Sequence, residues 1–208
     1  MKEGGDKRVL ISTIYEGYAV KQAITKLSPD KLIFLIDEPL DIKKKEKMNS
    51  IIKEIKDFFK DTIEFQNIKI SSYDIPKIMA EVIKVIDEEY KEGNKIFIHA
   101  SEGRKPTSFA LLFASYRRRD KVEGDYYITE EEHTLIKLPM LNFEIRESKK
   151  LVLKEIEKGN LEVEKIGKKL GLKQSVIYQN IQGLKEEGYV SNENKELRLT
   201  DLGRVMIL

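Results

Sequence analysis

Residues 8–14 read Arg-Val-Leu-Ile-Ser-Thr-Ile, a nearly continuous apolar run, and residues 18–27 follow with apolar side chains at helical spacing. A short apolar run of this kind is typical of a strand that is buried on both faces in a parallel sheet. Residues 31–36 are a second such run, so the segment 8–36 predicts a β-α-β unit. This unit decides the fold, because the segments that follow repeat its alternation.

The alternation of helix and strand continues through the first two thirds of the chain. The predicted elements are helix 43–60, strand 63–70, helix 74–92, strand 95–99, helix 109–119 and the hairpin strands 125–129 and 134–138. We therefore expect an α/β fold with a Rossmann-like, doubly wound, mostly parallel sheet and a hairpin addition.

The last third of the chain has a different pattern. Short helices are predicted over 148–158, 161–170 and 173–187, and residues 189–199 predict a two-stranded hairpin with its turn over 191–195. This order is typical of a small winged helix-turn-helix domain. With residues 139–142 as the linker, we expect a sensing domain over 1–142 and a winged helix-turn-helix domain over 143–208.

Composition excludes several classes of protein. The chain has no Cys and only two His, so we expect neither a disulfide nor a metal site. Residues 1–8 lack the apolar stretch of a signal peptide and no run is long enough to span a bilayer, so we expect a cytoplasmic protein without a membrane partner. The glycine-rich motifs of dinucleotide dehydrogenases and P-loop ATPases are absent.

A candidate phosphate site follows the fourth predicted strand. The loop over residues 100–107 reads Ala-Ser-Glu-Gly-Arg-Lys-Pro-Thr, and it lies where doubly wound sheets bind ligands. Gly103 permits a tight turn, and a helix amino terminus carrying Arg104 and Lys105 attracts phosphate. Cations are unfavourable at the positive end of a helix dipole, so these two residues indicate a functional site.

Hydroxyl groups are expected on both sides of this site. Ser101 and Thr107 belong to the loop itself. Ser12 and Thr13 end the first strand, and with the following Tyr15 and Glu16 they are predicted to line the opposite wall, next to the sugar or base of a nucleotide.

The third helix of the carboxy-terminal domain has one apolar and one polar face. Ile177, Ile181 and Leu184 share the apolar face, and amides and hydroxyls of the kind that contact base edges and phosphates share the other. Lys165, Lys168, Lys169 and Lys173 are placed to meet phosphate. The residues predicted to contact double-stranded DNA are Lys169, Lys173, Gln174, Ser175, Tyr178, Gln179, Gln182 and Arg198.

The whole chain resembles the CARF (CRISPR-associated Rossmann fold) regulators that are fused to a winged helix and encoded beside archaeal CRISPR loci. The resemblance rests on Ser12-Thr13, on Ser101-Glu-Gly-Arg-Lys105 and on Leu170-Gly-Leu-Lys-Gln-Ser-Val-Ile-Tyr-Gln179, in that order. One departure is Glu102, because many relatives have two glycines in this loop. This departure places a carboxylate beside the predicted phosphate site.

The resemblance implies a homodimer that binds cyclic oligoadenylate across its two-fold axis and controls transcription of CRISPR-associated genes. Cyclic tetra-adenylate is the first candidate, although ring size stays open, and no other cofactor is expected. The implied ligand contacts are Ser12, Thr13, Ser101, Gly103, Arg104 and Lys105, to which we add Glu102 and Thr107 from the same loop.

Two alternatives stay open. Some CARF domains cleave their own ligand, in which case Ser12 would align a ribose hydroxyl and Lys105 would stabilise the developing charge. Glu102 or His99 would then be the candidate base, but no general base is evident and we favour binding without catalysis. Winged helices also serve as protein-docking modules, which is the second alternative.

Overall fold

The computed structural model describes residues 6–38, 41–70, 73–141, 145–193 and 196–208. Parts of three predicted segments lie outside this set: residues 1–5 of the amino-terminal segment, residue 142 of the linker and residues 194–195 of the wing turn. Contacts within the chain divide it into two units, Met1–Asn142 and Phe143–Leu208. No helix in the described part of the chain has the length and apolar character needed to cross a bilayer.

The first unit alternates strands and helices. Its strands are β1 (Arg8–Thr13), β2 (Lys31–Asp37), β3 (Glu64–Ile70), β4 (Lys95–His99), β5 (Val122–Ile128) and β6 (Leu135–Leu138). Its helices are α1 (Tyr18–Leu27), α2 (Ile42–Phe59), α3 (Ile75–Lys91) and α4 (Lys105–Arg117). The helix predicted over 109–119 begins four residues earlier, because Pro106 belongs to its first turn.

The strands form one sheet in the order β3-β2-β1-β4-β5-β6. The pairs from β3 to β5 are parallel, and β6 is antiparallel to β5. The Rossmann-like, mostly parallel sheet with a hairpin addition is therefore confirmed. The strand order reverses between β1 and β4, so the loops that follow these two strands open a crevice at their carboxyl ends.

Apolar side chains cover both faces of this sheet. On one face, Leu10, Phe34 and Phe97 pack with residues of α1 and α2. The alternate strand residues, among them Ile11 and Ile98, are fully buried on the other face, where α3 and α4 pack against each other. Burial of both faces explains why the strands read as continuous apolar runs in the sequence.

One carboxyl group lies inside this core. Asp125 of β5 is fully buried and accepts a hydrogen bond of 2.5 Å from the Ser115 hydroxyl on α4. Its second oxygen, Oδ2, has no hydrogen-bond partner among the described residues. Burial raises the pKa of Asp125 to about 6, because the charged form is poorly solvated there.

The second unit contains α5 (Glu147–Glu157), α6 (Val163–Leu170), α7 (Gln174–Glu186), β7 (Val190–Glu193), β8 (Glu196–Leu199) and α8 (Asp201–Ile207). The strands β7 and β8 pair antiparallel, and the helices enclose a separate core around Val152, Ile166 and Ile177. This order of three helices and a hairpin agrees with the predicted elements, except that the sequence analysis did not predict α8.

The helix α8 depends on a contact that the sequence does not reveal. The Thr200 side chain accepts the Gly203 N–H and so caps the helix. A Cβ at Gly203 would lie 2.1 Å from the Tyr189 carbonyl oxygen, so only glycine allows this close approach. A Gly in the first turn of a short segment is a weak helix signal by local propensity.

Replacing Asp125 with Asn is expected to change how stability depends on pH. The folded-state pKa of about 6 lies above the unfolded value of about 3.9, so folding favours the protonated form. The wild-type protein is then stabilised by this group below pH ~4 and loses that stability as pH rises through 6. Between pH 4 and pH 8, the free energy of unfolding of D125N, measured in urea, should rise relative to that of wild type by up to ~3 kcal/mol.

Asp57→Asn is the matched control, because Asp57 is exposed on α2. Only the change with pH is compared, so a constant offset from altered hydrogen bonding at residue 125 does not matter. Parallel pH profiles for D125N and wild type would contradict this account.

Candidate functional site

The candidate site is a cleft at the carboxyl ends of β1, β4 and β5. Its walls are the β1–α1 loop, the β4–α4 loop and the β5–β6 loop, and its volume is about 520 Å³. This volume is within the range of about 300–1,000 Å³ that is usual for ligand pockets. Because the order of strands reverses between β1 and β4, the cleft lies where open α/β sheets bind ligands.

Glu102 joins two walls of the cleft. Its Oε2 accepts the backbone N–H groups of Tyr15, Glu16 and Gly17 at 2.8, 2.9 and 2.7 Å, and its Oε1 accepts the Ala19 N–H at 2.8 Å. These donors belong to the start of α1, where N–H groups lack partners within the helix and a negative charge is favourable. The carboxylate predicted beside the phosphate site thus satisfies the amino terminus of α1.

Two glycines allow these walls to approach their neighbours. Gly17 has φ +79°, and a Cβ there would lie 2.4 Å from Cγ2 of Ile51 on α2. Gly103 has φ +84°, and its Cβ would lie 2.9 Å from Cβ of Thr13. Both positions combine a left-handed backbone with a close contact, so glycine is required at each.

A second carboxylate serves the amino terminus of α4. Asp37, at the end of β2, is buried and accepts the Arg104 N–H at 3.0 Å and the Thr107 hydroxyl. Asp37 was not among the site residues predicted from the sequence. The available signal was an acidic residue at the carboxyl end of a buried strand, next to the crevice.

The predicted hydroxyl residues of β1 lie beneath the cleft. Ser12 and Thr13 are fully buried, and the Ser12 Oγ lies 2.8 Å from both the Thr13 carbonyl oxygen and the His99 Nδ1. A carbonyl only accepts, so the Ser12 hydroxyl donates to it and Oγ accepts from a protonated Nδ1. Burial lowers the pKa of His99 to about 4, which keeps its ring neutral at pH 7.

Thr13 and His99 retain unused polar atoms. The Thr13 Oγ1 and the His99 Nε2 have no hydrogen-bond partner within the described part of the chain. The Thr13 Oγ1 lies 3.6 Å from the position of a Cβ on Gly103, a residue that lines the cleft. A buried hydroxyl without a partner is uncommon, and here it lies directly behind a wall of the cleft.

The residues of the predicted phosphate loop are divided between three environments. Ser101, Glu102 and Gly103 line the cleft. Thr107 is buried and donates to Asp37. Ser12 and Thr13 are also buried, below the cleft. Arg104 and Lys105 begin α4 beside the cleft, with the Arg104 guanidinium carbon 5.1 Å from the centre of the Tyr73 ring and Lys105 exposed. Ligand contacts by these residues stay predictions.

Six of the described residues that line the cleft were not selected from the sequence, among them Tyr18, Glu130 and His133. Tyr18 begins α1, and Glu130 and His133 belong to the β5–β6 loop. The Tyr18 and His133 rings make an edge contact with centroids 4.6 Å apart. The available signal for Glu130 and His133 was the predicted hairpin, since a hairpin that follows the fifth strand places its loop at the same edge of the sheet.

In the second unit, the residues predicted to contact DNA lie on α6, on α7 with its N-cap, and on β8. All eight are exposed: Lys169, Lys173, Gln174, Ser175, Tyr178, Gln179, Gln182 and Arg198. Three of the predicted phosphate-binding lysines form ion pairs within the unit: Lys165 with Glu162, Lys168 with Glu164 and Lys169 with Glu155, at 2.7, 2.8 and 3.2 Å. DNA contacts stay predictions.

The described residues contain no cluster of three or more His, Cys, Asp or Glu side chains that could hold a metal ion.

Replacing Glu102 with Ala is expected to destabilise the first unit by about 1–2 kcal/mol, because four N–H groups lose their acceptor. Glu102→Gln retains one carbonyl oxygen and should lose less. Urea unfolding at pH 7 measures both, with Glu123→Ala as the control for an exposed glutamate of the same unit. If E102A and E123A had the same free energy of unfolding, the Glu102 hydrogen bonds would not contribute to stability.

Comparison with known proteins gives a shared fold and a family. No curated protein matches the chain. Enterococcus italicus Csm6 bound to cyclic hexa-2'-fluoro-hexa-dAMP is 13% identical with a TM-score of 0.56, over 90% of this chain and 57% of that chain. A type III CRISPR defence DNA nuclease activated by cyclic oligoadenylate is 14% identical with a TM-score of 0.50, over 86% of this chain and 33% of that chain.

At identities this low, the structural similarity shows a shared fold alone. The chain spans little more than half of the first structure and a third of the second. The family model described as HFX_2341_N:-like, N-terminal matches residues 10–133, from β1 to the β5–β6 loop. The match covers more than half of the chain and contains all three walls of the cleft. The chain therefore belongs to the HFX_2341_N:-like, N-terminal family.

Proposed function

We propose that this protein is a ligand-responsive transcriptional regulator of CRISPR-associated genes that acts in the cytoplasm. Its first unit is a CARF domain that senses cyclic oligoadenylate, and its second unit is a winged helix-turn-helix that binds double-stranded DNA. The observation that carries the proposal is the cleft at the strand-order reversal, with Arg104 and Lys105 at its edge.

The ligand class follows from charge and from the related folds. Glu102 and Asp37 already accept N–H groups at the amino termini of α1 and α4, so an anionic ligand depends on cationic side chains. Arg104 and Lys105 supply two of them beside the cleft. The Csm6 structure holds a cyclic oligonucleotide and the nuclease is activated by cyclic oligoadenylate, which supports this class of effector. Cyclic tetra-adenylate is the first ring to test.

A homodimer is part of the proposal. The helix α4 carries Phe109, Leu112 and Phe113 on its outer side, with Phe109 51% exposed and the two Phe rings 6.5 Å apart. Exposed apolar residues next to a binding site favour contact with another protein surface. A second copy on this side of α4 would repeat Arg104 and Lys105 around a ring ligand with two-fold symmetry.

The case for DNA binding rests on the outer face of α7. It exposes Gln174, Ser175, Tyr178, Gln179 and Gln182, which offer amides and hydroxyls to base edges. The ion pairs of Lys165 and Lys168 do not oppose this role, because both partners are exposed, such pairs contribute only about 0–1 kcal/mol, and their lysines can exchange a carboxylate for a phosphate. Lys169 pairs with the buried Glu155, so a phosphate contact by Lys169 requires its ammonium to leave that carboxylate.

Regulation requires that ligand binding and DNA binding share one equilibrium. Cyclic oligoadenylate changes DNA affinity only if it binds two dimer arrangements with unequal affinity, and DNA then changes ligand affinity by the same factor. Activation and repression both satisfy this condition.

The geometry of the site favours binding of cyclic oligoadenylate without cleavage of its ring. Ring cleavage by Ser12 would need its hydroxyl at the ligand, but Ser12 is fully buried and donates to the Thr13 carbonyl. The Glu102 carboxylate, a candidate base, is engaged by four N–H groups.

The double variant R104A/K105A should lose cyclic tetra-adenylate affinity by about 100-fold or more, since each cation supplies a charge-assisted interaction of about 1.5–3 kcal/mol. Isothermal titration calorimetry with cyclic tri-, tetra- and hexa-adenylate measures the affinity of wild type and variant. The matched control is K84A/R119A, which removes one Lys and one Arg elsewhere on the same unit. Wild-type protein that binds none of these rings would overturn the sensor proposal.

DNA binding is tested by gel shift on the duplex upstream of the protein's own gene, with and without cyclic tetra-adenylate. Gln179→Ala should weaken binding to this duplex about tenfold or more and leave binding to unrelated DNA unchanged, as expected of a base contact. Lys173→Ala should weaken both and reduce the salt slope by about one. Lys158→Ala, at the end of α5, is the control. Absence of binding under every condition would exclude the regulator.

A further inference from the structure

One carboxylate lies among the residues of α7 that are proposed to contact DNA. Ser175, Gln179, Gln182 and Glu186 follow one another at intervals of three or four residues, so they share one face of the helix, and all four are exposed. A carboxylate on this face is repelled by the phosphates of DNA. Electrostatic attraction to DNA therefore does not explain the position of Glu186.

Glu186 instead holds the side-chain amide of Gln182. The Gln182 Nε2 donates to the Glu186 Oε1 at 2.8 Å, across one turn of the helix. An ionised carboxylate only accepts hydrogen bonds, so the opposite orientation of the amide would bring two acceptors together. The contact therefore favours one of the two orientations of the amide, with Nε2 towards Glu186 and Oε1 on the side away from it.

The oxygen atoms of this pair that remain free are acceptors. Within the described part of the chain, neither the Gln182 Oε1 nor the Glu186 Oε2 has a hydrogen-bond partner. Both belong to exposed side chains on the face of α7 that is proposed to enter the major groove. Two acceptors and one donor, the second proton of Nε2, are thus left for contact with DNA.

Acceptors on a protein distinguish the bases in the major groove. Adenine N6 and cytosine N4 are amines that donate there, whereas guanine O6 and thymine O4 accept. An acceptor opposite O6 or O4 makes no hydrogen bond and brings two oxygen atoms together, which costs affinity. DNA also displaces water from the helix, so water competes less for the hydrogen bond between Gln182 and Glu186 and that bond becomes stronger.

We infer that Glu186 is a positioning residue that orients the Gln182 amide, so that α7 reads the amine of an adenine or a cytosine at one base pair of its DNA site. Gln182 makes the base contact, and Glu186 acts through it. This inference rests on the proposed function and adds the class of base that one residue of α7 selects.

The base pair that Gln182 reads is identified first. Wild-type protein and Gln182→Ala each select duplexes from a pool of random sequence, and the base pair whose preference is lost in Q182A marks the contact. Synthetic duplexes then carry, at this pair, the selected base or its analogue with hydrogen in place of the amine. In gel-shift titrations, loss of the amine should weaken wild-type binding about tenfold or more and leave the affinity of Q182A unchanged.

Two substitutions at residue 186 separate the hydrogen bond from the charge. Glu186→Ala and Glu186→Gln both remove one negative charge, so both should bind every duplex more tightly. In E186A the amide is released, and loss of the amine should weaken binding only about threefold or less. In E186Q the new carbonyl still accepts the Nε2 proton, so the effect of the amine should be restored to about tenfold.

Glu157→Ala is the matched control, because Glu157 is an exposed glutamate on α5 of the same unit. Its effect of the amine should equal that of wild type. The substituted positions on α7 are exposed, and Ala and Gln both favour helix, so the variants are expected to fold. Thermal melting checks this for each variant.

The outcomes separate the inference from the proposed function. Wild-type protein that selects no duplex overturns the DNA-binding regulator and the inference with it. Wild-type protein that selects a sequence which Q182A selects equally overturns the base contact and leaves the regulator intact. An amine effect in E186A as large as in wild type overturns the positioning role of Glu186.

Discussion

The carboxylate of Glu102 and the four N–H groups that it accepts determine the form of the site. This contact fixes the β1–α1 loop against the β4–α4 loop and satisfies the amino terminus of α1. The cleft is the space between these two loops and the β5–β6 loop. Without an acceptor at residue 102, these four N–H groups would lose the contact that joins the two loops, so the form of the cleft and the proposed ligand chemistry depend on it.

The chain uses its own carboxylates where many nucleotide-binding folds use a bound phosphate. Glu102 serves α1 and Asp37 serves α4, so the helix dipoles that usually attract anions are already balanced within the protein. In the proposed sensor, recognition of an oligoanion therefore depends on cationic side chains such as Arg104 and Lys105.

The fold was predictable because its signals are local. Continuous apolar runs such as residues 8–14 identify strands buried on both faces, and the hairpin was visible as two short runs joined by four polar residues. The internal contacts of the site were not predictable, because Glu102 reaches Gly17 across 85 residues and the Arg104 N–H reaches Asp37 across 67. Local pattern also cannot distinguish a hydroxyl that faces the cleft, such as Ser101, from a buried one. The short helix α8 escaped prediction for the same reason, since it depends on a tertiary contact.

The close approach of Gly17 to Ile51 extends the site into the scaffold. The residue whose N–H binds Glu102 also rests, without any side chain, on the middle of α2. A side chain at residue 17, or a larger one at residue 51, would therefore force this loop and α2, a helix of 18 residues, apart. Under the proposed function, a larger side chain at residue 51 is therefore expected to displace this loop and to change ligand affinity, although Ile51 is not one of the residues that line the cleft.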